Sequence, residues 1–156
     1  MEAMAEALVV QPGAAAGASL ADGAFELLAD GGAVSASRLT LKTGADGAPP
    51  HHHKLSHEVF YMLDGTMLFR LGDTLTTVRK GGLVIIPPGL PHAFGAEDDD
   101  VADVVVVLSP GIERFEYFEQ LGAISRGEAK FESLVPEQDR YDVHFEDMPD
   151  WRSAPA

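Results

Sequence analysis

The 156-residue chain contains no cysteine. Disulfide scaffolds, thiolate metal sites and cysteine nucleophiles are therefore excluded together. Basic side chains are scarce as well. Eleven Lys and Arg against 25 Asp and Glu leave a formal charge of −14. Such a surface repels phosphate backbones and anionic lipid, so neither nucleic acid nor a membrane is an expected partner. Long apolar runs are also missing. The longest, Val104 to Leu108, falls far short of the ~20 residues of a membrane-spanning helix. Met1 to Val10 carries Glu2 and Glu6, and the first basic residue is Arg38, so no positively charged secretory leader is expected. These absences point to a cytoplasmic protein. The length suits one domain, able to bury roughly 70% of its unfolded surface without covalent staples.

What is present is mostly β-patterned. Residues 1–23 are rich in Ala and Gly and read as an N-terminal arm or edge strand. A barrel is expected over 24–110, with a helix and tail over 111–156. From Ala33 to Leu41 the residues alternate with period two. Glu58 to Leu63 reads as a strand, Asp64-Gly65 as a hairpin turn, and Thr66 to Leu71 as the return strand. Further short strands follow at Leu75 to Arg79, Leu83 to Ile86 and Val101 to Leu108, separated by Gly, Pro and Asp turns. This spacing predicts an antiparallel sandwich or barrel and disfavours a nucleotide-binding α/β fold. Ser109 is placed to cap a helix with Pro110 at its first position. Ile112, Phe115, Phe118 and Leu121 then follow at helical spacing, and Gly122 is a natural stop. The polar tail beyond has no readable fold.

Four of the six histidines fall between His51 and His57. On an extended backbone His51 and His53 share a face, and Glu58 shares one with Phe60 and Met62. A carboxylate in line with large apolar residues is costly to bury unless a cation balances it. His92 adds a third imidazole beside another apolar strand. Three imidazoles and one carboxylate suit Fe, Ni, Co, Mn, Cu or Zn. His52 and His57 fall on the opposite parity, where exposed or supporting roles are expected, and His144 stands alone in the tail. Phe60, Met62 and Phe94 neighbour these residues and are candidates to line a substrate pocket. Tyr61, on the face away from Glu58, is expected to pack. Asp98 to Asp100 reads as a solvated turn, because nothing nearby completes a calcium loop.

Two spaced motifs carry a family resemblance. His51-x-His53 is followed after four residues by Glu58 and after six more by Gly65. Gly81 is followed by Pro87-x-Gly89 and then His92. This resembles the paired motifs of the cupin superfamily. The opening glycine of the first motif falls on Ala45 and the closing asparagine of the second on Ala96, leaving the local turn geometry open. The run His51 to Gly65 and the segment Ser109 to Phe115 look like small single-domain cupins related to quercetin dioxygenase. The resemblance implies an all-β double-stranded β-helix, a jelly-roll barrel, with a C-terminal helical tail. It implies one divalent metal ion held by His51, His53, Glu58 and His92. It also implies a lid to which Phe115 and Phe118 contribute.

The function implied is that of a metal-dependent dioxygenase acting with O2 on a small aromatic, flavonol-like or polyketide-like substrate, with Glu58 as catalytic base. A metal-assisted polyketide cyclase or isomerase is the alternative, and a ligand-binding cupin without catalysis is a third. Glu58 argues against thiol-oxidising cupins, which generally hold iron with histidines alone. A homodimer is expected, with Leu8, Val9 and Val10 able to offer a strand to a neighbour.

Overall fold

The computed structural model describes residues 5–153. Ten strands, β1 (Ala16–Leu20), β2 (Gly23–Ala29), β3 (Ser35–Leu41), β4 (His51–His52), β5 (His57–Leu71), β6 (Thr74–Arg79), β7 (Leu83–Ile86), β8 (His92–Ala96), β9 (Ala102–Ser109) and β10 (His144–Phe145), form an all-β jelly roll. One sheet runs β1-β2-β3-β9-β5 with β7 also on β5. The other runs from β6 through β5 to β8, β4 and β10. The sheets share β5, so the core lies in the fold of that one strand.

The expected hairpin at Asp64-Gly65 is not there. β5 passes straight through it, its first half pairing with β7 and β9 and its second with β6 and β8. A register shift between Met62 and Asp64 marks a bulge. Glu58, Phe60 and Met62 face inward before it, Met67 and Phe69 after it. One extra residue flips the parity, which keeps both halves facing one core as the strand crosses from sheet to sheet. Gly65 has φ 72°, and a Cβ there would meet the Val101 carbonyl oxygen at 1.9 Å. Asp-Gly signals a sharp backbone change. Here the close approach of β9 makes it a corner, while the turn expected after Leu71, at Gly72-Asp73, does form a hairpin.

Two other expectations change. β2 lies in a stretch that sequence alternation left unassigned; only Phe25 and Leu27 among its residues are buried, and pairing on both sides makes it a strand. The helix α1 is Phe115–Ser125, starting later and ending later than expected. Ser109 Oγ donates to the Ala33 carbonyl instead of capping. The cap comes from a distance, where Asp30 Oδ1 accepts from the backbone N–H groups of Arg114 and Phe115 at 2.7 and 3.3 Å. Gly122 does not stop the helix. It sits where a Cβ would meet the Ser19 carbonyl at 2.5 Å, so its smallness lets α1 lie close on β1. The tail forms a 3₁₀ helix over Phe131–Glu137, a short α2 (Gln138–Tyr141) and β10, which pairs with β4.

Leu39, Phe60, Met67, Phe69 and Val104 are fully buried. Phe60 packs edge-on against Phe69 and Phe94, with centroids 5.1 and 4.9 Å apart. The two positions that depart from the cupin motifs meet each other. The Ala96 N–H donates to the Ala45 carbonyl at 2.9 Å. Arg152, from the tail, donates to the carbonyls of Gly44, Ala45 and Ala96. Among the described residues, no helix is long and apolar enough to cross a membrane.

Candidate metal centre

β4 and the turn after it supply His51 and His53, the start of β5 supplies Glu58, and the start of β8 supplies His92. His51 and His92 are register partners across β4 and β8. All four side chains are buried, with His92 wholly inaccessible. Their ligand atoms lie within 4.8 Å of one another. Glu58 Oε1 is 2.9 Å from His92 Nε2 and 3.4 Å from His53 Nε2. Donors each ~2.1 Å from one ion and at right angles would sit ~3.0 Å apart.

Hydrogen bonding decides what these atoms can be. The Nδ1 of His51 lies 2.6 Å from the Pro49 carbonyl, that of His53 2.6 Å from the Asp142 carbonyl, and that of His92 2.9 Å from the Leu90 carbonyl. A carbonyl only accepts, so each Nδ1 carries the proton and each neutral ring turns an Nε2 lone pair inward. His53 Nε2, His92 Nε2 and Glu58 Oε1 have no hydrogen-bond partner. Acceptors thus converge on an anionic acceptor with no donor between them, an arrangement that costs several kcal/mol unless a cation joins it. Burial tends to raise the Glu58 carboxyl, and positive charge at His53 and His92 would outweigh it and hold the group well below its usual range; with both rings neutral, a bound cation is what would supply that charge. Burial lowers His51 well below the usual imidazole value, and His92 and His53 add to the effect. The donor set fits a divalent metal.

The cluster opens onto a cavity of about 20 Å³. Of the pocket candidates from the sequence, Phe94 and Phe118 line it. Phe60 and Met62 lie behind in the core, and Phe115 packs at the core's edge. Among the wall residues that no sequence motif marks are Arg114, Tyr117 and Val143. Asp142, next to Val143, was equally hidden. Its carbonyl accepts from His53, and its carboxylate accepts from the N–H groups of Lys54, Leu55 and Ser56 at 2.7, 3.0 and 3.3 Å. The one available signal was helical spacing, since Arg114 and Tyr117 stand three residues apart and in phase with Leu121. His52 is half-buried, with Nδ1 2.6 Å from Glu146 Oε1 and its ring stacked on His144. His57 is exposed.

Residues 37–108, just under half of the chain, match the family described as Cupin domain. Over that span the barrel is similar to a cupin domain. An RmlC-like cupin from Shewanella frigidimarina aligns over 72% of this chain and 96% of its own, at 16% identity and a TM-score of 0.60. The polyketide cyclase RemF from Streptomyces resistomycificus aligns over 67% and 80%, at 21% identity and 0.55. The Streptomyces nucleoside dehydratase Pac13 aligns over 64% and 79%, at 11% and 0.54. At these identities the likeness is one of fold. An uncharacterized protein of Methanocaldococcus jannaschii is 40% identical over 42 residues, covering 27% of this chain and about a third, 34%, of that protein.

Proposed function

We propose that the chain is a cupin and a divalent-metal-dependent enzyme acting on a small organic substrate, with dioxygenation as its reaction. The observation that carries the metal is the set of buried acceptor atoms without donors at His53, Glu58 and His92. When bound, the metal would supply a redox centre and a Lewis acid for a substrate oxygen. Glu58, held anionic and lining the cavity, takes the proton of a substrate hydroxyl. Phe94 and Phe118 exclude water from that transfer. The sequence resemblance to quercetin dioxygenase-like cupins supports this reaction.

The cavity narrows the substrate. About 20 Å³ is far below the ~300 Å³ of a pocket for a drug-sized ligand, so a flavonol would enter only if α1 moved away. The enclosed space itself holds about one water, so any organic substrate requires the wall to open, and a small enol or phenol requires the smaller opening. A redox-neutral cyclase or isomerase is the second reading, favoured by the unspent donors of Arg114 and Tyr117 in the same wall, which can hold an oxyanion without oxidation.

Metal analysis of protein purified without added metal, followed by oxygen-uptake measurements with small enols and phenols, tests the reaction. Iron, nickel, cobalt, manganese or copper with substrate-dependent uptake is expected. Zinc with turnover that persists without air would transfer the assignment to the cyclase. Glu58→Gln is expected to retain metal and lose at least ~100-fold in turnover. Unchanged turnover in that variant would remove Glu58 as the base.

A homodimer is part of this proposal. Tyr61, Leu83 and Ile85 lie exposed on the outward face of β5 and β7, so the packing expected of Tyr61 is only partial within the chain.

A further inference from the structure

Arg114 is the largest wholly buried side chain, only 2% exposed, and its guanidinium is fixed on two sides. Nε donates to the Tyr141 carbonyl at 2.7 Å, and Nη2 donates to Ser56 Oγ at 3.2 Å. Asp142 Oδ2 lies 3.7 Å from Nη2. Ser56 Oγ donates onward to the Pro110 carbonyl, so its lone pair is free to accept. Nη1 has no partner. The hydroxyl of Tyr117, 3% exposed, has none either. A buried donor left unpaired costs roughly 1–3 kcal/mol, more when charged. Two such groups, both in the wall of the cavity that holds the metal cluster, are a cost that a ligand would remove.

We propose that Arg114 Nη1 and Tyr117 Oη form an oxyanion-binding pair, and that the substrate is a small carboxylate with an apolar body. This rests on the metal-enzyme reading of the same cavity and names its substrate class. Three features agree. Arg114, the residue just before α1, and Tyr117, in its first turn, stand three residues apart and both line the cavity. Away from the cluster, and apart from Ser37, the rest of the wall, with Phe25, Leu39, Val106, Leu108 and Phe118, is apolar and suits a short hydrocarbon body. The charges also balance. Glu58 and Asp142 are anionic and Arg114 cationic, so a divalent ion would leave a net positive charge in the buried group that a monoanion neutralises. Burial raises the Tyr117 hydroxyl and Glu58 raises it further, keeping it a donor across the physiological range.

Acetate and acetamide, equal in size and different in charge, are the probes. Protein loaded with zinc, its occupancy measured by metal analysis, is titrated with each by calorimetry at constant ionic strength. Acetate is expected to bind at least about tenfold more tightly than acetamide. Tyr117→Phe removes only the unpaired hydroxyl. It is expected to weaken acetate about tenfold while zinc occupancy holds and the melting temperature is unchanged or raised. Arg114→Lys should weaken acetate as well. Acetate that binds both variants as it binds the parent, at full zinc occupancy, would overturn the pair, because the metal alone would then be taking the anion. Absence of acetate binding to the zinc-loaded parent would overturn it too, as would a Tyr117→Phe melting temperature that falls with acetate affinity intact. Failure of the parent to retain zinc is a different result. It removes the metal reading, and the pair then stands or falls on whether metal-free protein binds acetate in a manner that Tyr117→Phe weakens.

Discussion

Asp142 adopts a left-handed backbone with φ 51°, a conformation that Asp tolerates better than most side chains. There its carbonyl reaches His53 while its carboxylate ties down the three N–H groups of the turn between His53 and Glu58. It is a positioning residue for two of the four clustered side chains. Burial opposes its ionisation, but the three N–H donors and His53 outweigh that and lower its pKa below 3.8. A carboxyl lowered in the folded state adds stability above its unfolded value, and this is lost as pH falls through the folded one. Asp142→Asn is therefore expected to melt below the parent by a constant margin from about pH 7 to pH 5, with the margin closing only below the ordinary carboxylate value of 3.8. Its metal affinity should fall about 10- to 100-fold, measured by competition with a chelator. A margin that widens on acidification would contradict the sign of the shift. None of this was legible from residues 123–156, because Asp142 matters through backbone groups some 90 positions away in the chain. His51, His53 and Glu58 were legible because alternation gives parity directly, and His92 through the spacing that resembles the second cupin motif.

At the scale of elements, β5 is the decisive strand. Its bulge turns one alternation into another, and Gly65 is the residue that permits the corner. Gly65→Ala would force a side chain into the left-handed region, costing about 1–2 kcal/mol, and would drive a Cβ against the Val101 carbonyl. A drop in unfolding free energy of at least about 2 kcal/mol is expected, measured by urea denaturation. A change under 0.5 kcal/mol would mean that the corner relaxes freely. The helix shows a related lesson. Ser109-Pro110 has the composition of a helix start, yet the cap is Asp30, brought in from the loop after β2. Local propensity proposes a terminus, and a buried N–H finds whichever acceptor the fold sets beside it.

For the whole molecule, the −14 charge and the outward apolar face of β5 and β7 bear on assembly together. Like charge disfavours association, so a dimer through Tyr61, Leu83 and Ile85 should be weakened at low salt. Light scattering is expected to give twice the monomer mass at physiological salt, and Leu83→Lys should return the monomer. A monomer mass for the parent under those conditions would remove the dimer. Leu8 and Val9 are also exposed but lie outside any strand. A parent-like mass after deletion of residues 1–12 would therefore separate this face from the arm.

By itself the sequence determined the β class, the motif spacing and the shared parity of His51 with His53 and of Glu58 with Phe60 and Met62. Each of these follows from period-two alternation and turn chemistry acting over a few residues. Only the tertiary structure decided that Asp64-Gly65 is a corner, that Asp30 caps α1, and that Arg114, Tyr117 and Asp142 surround the cluster. Those outcomes depend on which distant carbonyl or carboxylate arrives beside a given group, and no local pattern encodes that arrival.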